Sequence, residues 1–232
     1  MILKIYGETN MDNIILLKKY ISIKIIKKDT STNEYPKLTY VKINGKKHKA
    51  IHIPTCVSND IKVHYQYIKK ANEIIIKNFS DVDTITIDLN YNFGGKDTVM
   101  AASLSPILNL SKRKRLVNVK TNDKIKNGLF RTNIGCYGST SNPTICGSKK
   151  MLKNIKNINI IIGETFSAGE VIAITFKSLI DQFNINFYGY KTGGFTSYIK
   201  YFELNTNGGG IEIPIGYMSD AFGNVYKDGV SL

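Results

Sequence analysis

The chain has no tryptophan and only three histidines and three cysteines, with no C-x-x-C pair among them. A structural zinc site needs four Cys or His ligands at short spacings, so that chemistry is excluded. Cys136 and Cys146 could pair in an oxidising compartment, but buried or free thiols are the better reading of three scattered cysteines. Acidic residues are also short, 18 against 32 Lys and Arg, which leaves a formal charge of +14. That excess permits an acidic partner. The basic residues are scattered and not interleaved with aromatic platforms, which argues against nucleic acid as the main ligand. No apolar run reaches the roughly 18 residues of a membrane span, and the first residues lack a signal-peptide layout. The expectation is a soluble, intracellular chain with no metal or cofactor. Its oligomeric state is open.

What is present is an alternation of strand and helix patterns. Residues 1–28 mix apolar and lysine positions and fit a helix followed by a strand. Leu38–Ile43 and Lys49–Pro54 alternate about Asn44-Gly45, a hairpin signal that sets His52 on the face opposite Ile51 and Ile53. Tyr67, Ile68, Ala71, Ile74, Ile75 and Phe79 recur at helical spacing. A strand over Thr84–Leu89 runs into the turn Asn90–Gly95. A helical stretch over Thr98–Leu110 follows, broken near Pro106. Ser111–Arg115 reads as a solvated basic loop or strand edge, and Asn133–Ser148 as a long Gly/Ser/Asn-rich loop. A strand at Ile185–Tyr188 leads to a second glycine turn, Gly189–Gly194. A hairpin pattern about Asn207–Gly210 and a turn at Gly223-Asn224 close the chain.

Between these lies the stretch most dense in chemistry, Asn157–Phe183. An apolar strand gives way to Gly-Glu-Thr-Phe and then to a helix beginning at Ser167. Ser167-Ala-Gly-Glu170 is S-x-x-E, a capping box, and capping is the commoner use of that pattern. A serine at this position also sits at a strand's carboxyl edge and a helix N-terminus, where α/β sheets carry their sites. The adjacent glycines Gly94 and Gly95 let backbone amides approach a ligand closely, the material of an oxyanion hole.

Three of these turns, in this order and each after a strand, resemble one family. Ile87–Gly95 (IDLNYNFGG) is similar to the I-D-L-R-x-N-x-G-G segment of the S41, or C-terminal-processing (tail-specific), peptidases. Glu164–Ala173 (ETFSAGEVIA) resembles their S-A-x-E turn and helix, and Gly189–Gly194 (GYKTGG) their G-x-x-T-x-G turn. Gly94–Leu108 resembles the nisin-resistance-protein-like branch. The resemblance runs from about residue 49 to the end. It implies an α/β protein with a ClpP/crotonase-like core over residues 49–232, no PDZ module, and residues 1–48 as a short N-terminal β/α extension.

By the same resemblance Ser167 is the nucleophile and Glu170 caps its helix. The amide of Ala168, with one from Gly94-Gly95, forms the oxyanion hole, and Thr192 and Gly193 belong to the substrate-binding turn. The processing-protease branch places a lysine base just after T-x-G, where this chain has Phe195. The nisin-resistance-like branch takes a histidine from well upstream, and no histidine precedes His48. His48, His52, His64 and Lys191 are the candidate bases, and Asn90 replaces the family's arginine. The leading expectation is a serine endopeptidase acting on extended or C-terminal polypeptide segments. A pseudopeptidase that binds peptides without cleavage and a basic nucleic-acid-binding protein are the alternatives.

Overall fold

The computed structural model describes residues 4–6, 34–122, 124–203 and 210–232. Its elements in chain order are β1 (Lys4–Tyr6), β2 (Lys37–Ile43), β3 (Lys46–His52), α1 (Ile61–Phe79), β4 (Thr84–Asp88), α2 (Asp97–Ser103) and α3 (Ser105–Leu108). There follow β5 (Arg115–Thr121), β6 (Ile125–Asn133), β7 (Cys136–Ser139), β8 (Ile145–Cys146), β9 (Asn157–Ile162) and α4 (Ala168–Lys177). The last three are β10 (Asn184–Gly189), β11 (Ser197–Glu203) and β12 (Gly210–Ser219). They make an α/β fold.

Five strands form a mixed sheet in the order β10-β9-β4-β3-β2, parallel except for β2, which returns from β3. The parallel pairs are joined through α1, the α2–α3 stretch and α4, as parallel connections require. Ile51, Ile87, Ile160 and Phe187 lie in one row across the sheet. The three isoleucines of that row are buried in one cluster with Tyr67, Ala71 and Ile75 of α1, Met100 of α2 and Ile172 of α4. Apolar side chains at period 2 on the strands and period 3.6 on α1 meet there, which fixes the register. The neighbouring row, His52, Asp88, Ile161 and Tyr188, points to the other face. A second sheet is antiparallel, in the order β1-β12-β5-β6-β7-β8 with β11 also on β12. Leu116, Val117, Val119 and Leu129 carry the same core into it.

The hairpin at Asn44-Gly45 forms as expected, with both turn residues at positive φ. Residue 48, the expected boundary of the extension, lies inside β3, so the hairpin is built into the parallel sheet. Between α2 and α3 the chain breaks at Leu104, with Pro106 in the first turn of α3. Asp60 caps α1 through the Lys62 amide at 2.8 Å.

Two expectations are corrected. Residues 133–148 are no featureless loop: β7 pairs with β6 and β8, with Gly135 and Tyr137 held by the Asn109 side chain. Cys136 and Cys146, opposite each other in that hairpin, form a disulfide rather than free thiols. The eight Gly, Ser and Asn residues of this stretch look like loop because the pairing depends on β6, not on local pattern. Cys56 alone is a free, buried thiol. The basic run is a connector into β5, with Arg113 bonded to Asp181 at 2.6 Å. Most of residues 1–28 and the turn before Gly210 lie outside the described residues.

Candidate active site

Three connections meet at the carboxyl edge of the parallel sheet: Leu89–Lys96 after β4, Gly163–Ser167 after β9, and Tyr190–Thr196 after β10. Ser167 stands at their junction. It precedes the first residue of α4 with φ 53 and ψ −119, a conformation that costs a non-glycine residue about 1–3 kcal/mol. Among the described residues only Asn44 and Tyr91 are other non-glycines with positive φ. Ser167 is exposed, whereas Ala168, Gly169 and Glu170 behind it are buried.

The strain is held in place by two buried polar residues. Glu170, fully buried, accepts the Ser167 amide on Oε2 at 3.0 Å and the Phe195 amide on the same oxygen at 2.7 Å. Its Oε1 accepts the Thr192 hydroxyl at 2.5 Å and the Gly194 amide at 2.8 Å. The S-x-x-E cap is therefore present, but its carboxylate also carries the whole T-G-G turn. Burial pushes the Glu170 carboxyl above its ordinary range, and the four donors pull the other way. Thr192 in turn accepts the Val230 amide at 2.7 Å, which ties the chain's last residues to the site.

Asn92 is the second anchor, and sequence reading gave it no role. Its Nδ2 donates to the Ile53 and Pro54 carbonyls at 2.8 and 3.2 Å, and its Oδ1 accepts the Gly94 amide at 2.9 Å. Its own carbonyl accepts the Phe166 amide at 2.8 Å. The only local hint was an asparagine between a strand and two glycines, because its partners lie far away in sequence.

The glycines are required by close approach. A Cβ on Gly94 would stand 2.8 Å from Ser167 Cβ, and one on Gly95 1.9 Å from the Cys56 carbonyl oxygen, both at positive φ. Cys56 bridges this turn, its amide on the Gly94 carbonyl at 3.1 Å and its carbonyl taking the Lys96 amide at 2.8 Å. Burial pushes the Cys56 thiol up to about 11, so it is a neutral packing group.

The expected site residues thus separate into two groups. The amides of Gly94 and Gly193 and the hydroxyl of Thr192 are all committed to protein acceptors. Among the described residues, the Ala168 and Gly95 amides donate to no protein atom. A Cβ on Gly94 would lie 3.1 Å from the Ala168 nitrogen, which places the two turns edge to edge.

Among the described residues, none of the candidate bases is hydrogen-bonded to Ser167. His48 pairs with Val41 within the hairpin, and His64 Nε2 lies 2.7 Å from the Ser58 carbonyl. His52 lies 3.2 Å from Asp88 on the sheet face away from the core row. Lys191 is exposed on the last turn. Among the described residues, no cluster of three His, Cys, Asp or Glu could hold a metal.

The site is thus an exposed, strained serine at a strand-turn-helix junction of an α/β protein, with the Ala168 and Gly95 amides beside it. The model of peptidase family S41 matches residues 38–231, and the chain belongs to that family. Solved structures agree in fold. A lipoprotein from Streptococcus agalactiae superposes with a TM-score of 0.62 at 22% identity, covering 85% of this chain and 64% of that one. The photosystem II D1 C-terminal processing protease gives 0.54 at 17%, covering 88% and 48%. Mature CPAF gives 0.50 at 15%, covering 84% and 48%. The chain therefore spans 64% of the first and about half of the other two. No curated protein matches it in sequence. Among the described residues, no helix is long and apolar enough to cross a membrane.

Proposed function

We propose that this chain is a serine peptidase acting on polypeptides, with Ser167 as nucleophile. The observation that carries it is the strained, exposed Ser167 at the start of α4, beside the unengaged amides of Ala168 and Gly95. Ser167 Oγ attacks the carbonyl carbon of a peptide bond and loses its proton to a base. The oxygen of the tetrahedral adduct accepts the Ala168 and Gly95 N–H groups. The C–N bond then breaks, the amine leaves with a proton, and water hydrolyses the Ser167 ester. Each such donor lowers the barrier by roughly 3–4 kcal/mol. Glu170 positions the serine through its amide and takes no part in proton transfer. The mixed sheet and its helices form a ClpP/crotonase-like catalytic unit, into which the Lys37–His52 hairpin is built.

A second reading, peptide binding without hydrolysis, rests on Phe195. Its ring packs against Phe166 where the resembled processing proteases have their lysine base. A fluorophosphonate probe read by intact mass decides between them. The peptidase reading expects one adduct, lost in Ser167→Ala. A folded protein that takes no adduct and cleaves no peptide, yet binds peptide, supports the second reading.

A further inference from the structure

Three phenylalanines adjoin the Ser167 turn, one from each of the connections that build it. Phe93, immediately before Gly94, stacks on Phe166 with ring centroids 5.7 Å apart and planes 24° from parallel. Phe166, immediately before Ser167, meets Phe195 edge-on at 5.4 Å. Phe195 is a backbone neighbour of Ser167, since both amides end on the same oxygen of Glu170. The Phe166 ring also lies against Gly193, where a Cβ would stand 2.1 Å from it.

None of the three rings is buried in the core cluster, and Phe93 is 56% exposed. A single exposed phenylalanine is ordinary. Three joined through the central Phe166, adjoining the Ser167 turn, make a continuous apolar surface whose rings offer no charge and no hydrogen bond. Such a surface gains by covering another apolar side chain. Aromatic faces also attract cations. Here the chain's +14 charge, with Lys96 beside Gly95 and Lys191 beside Thr192, opposes a cationic occupant.

We infer that Phe93, Phe166 and Phe195 form a specificity surface that selects a bulky apolar side chain of the substrate polypeptide next to the scissile bond. This rests on Ser167 being the reacting residue. The test therefore reads binding and cleavage separately. Peptides identical except for Phe, Leu, Ser, Asp or Lys at one position are titrated against Ser167→Ala by fluorescence anisotropy. The same set is offered to the wild type as quenched substrates.

The Phe and Leu peptides should bind about tenfold more tightly than the Ser and Asp peptides. Adding Phe93→Ala or Phe195→Ala should reduce that ratio to about twofold or less, with the melting temperature recorded for each variant. Phe93→Leu, which keeps apolar area at an exposed position, should retain most of the preference. Equal binding of all five peptides, no binding of any, a preference for Lys, or a preference that survives both alanine substitutions would overturn the inference. Selective binding without cleavage would instead overturn the catalytic reading and leave the aromatic surface standing.

Discussion

Glu170→Ala should unfold this protein more readily than any other single change at the site. The carboxylate accepts three backbone amides and one hydroxyl, and is itself fully buried. Its removal leaves the Ser167, Gly194 and Phe195 amides without acceptors. Each donor left unsatisfied where the buried carboxylate stood costs up to about 1–3 kcal/mol, less where water reaches these part-buried amides, while the Thr192 hydroxyl can turn elsewhere. Water entering the new cavity recovers part of the loss, so the expected destabilisation is about 3–5 kcal/mol. For a chain of this size that corresponds to a melting temperature lower by roughly 6–20 °C. Glu170→Gln keeps the shape but sets an NH2 group against two of the donors. Thr192 can reorient to accept and the remaining amide cannot, so an intermediate loss of about 2 kcal/mol is expected. Urea unfolding followed by far-UV circular dichroism measures all three proteins. The order wild type, Gln, Ala is required. An alanine variant within 1 kcal/mol of wild type would show that the carboxylate is not the joint between α4 and the T-G-G turn, and the reasoning would fail.

Other outcomes follow from the same geometry. Gly95→Ala forces a Cβ to within 1.9 Å of the Cys56 carbonyl at φ 117 and should abolish probe labelling at Ser167, with a clear loss of stability by thermal denaturation. Reducing Cys136–Cys146, which closes a ten-residue span, should cost about 2–3 kcal/mol in urea unfolding with and without a thiol reductant. The Cys56 thiol is raised from 9.0 to about 11 on folding, so the folded state favours its neutral form. The stability it contributes is complete below pH 9 and is lost as pH rises towards 11, a difference on the order of 2–3 kcal/mol. Cys56→Ala should flatten that part of the wild-type stability–pH curve. At pH 8, iodoacetamide should leave native Cys56 unmodified and alkylate it once the chain is unfolded.

The sequence by itself determined the features carried by local pattern. Helical spacing of Tyr67, Ile68, Ala71 and Ile75 specified α1, and the isoleucine strands specified β4 and β9. Asn44-Gly45 specified its turn, and the glycines at 94 and 95 together with Ser167-x-x-Glu170 marked the edge that carries the candidate site. Each of these is an interaction between residues a few positions apart, so a one-dimensional reading captures it.

Only the tertiary structure decided which polar groups remain unengaged. Gly94 and Gly95 look equivalent in sequence. Asn92, held by Ile53 and Pro54 some 38 residues earlier, takes the Gly94 amide and leaves that of Gly95. Glu170 reads as a local cap, yet three of its four donors come from residues 22 to 25 positions later. The disulfide and the β7–β8 hairpin likewise wait on β6 for a pairing partner. Long-range hydrogen bonds of this kind leave no periodicity behind, because their partners are brought together by the sheet and not by the chain.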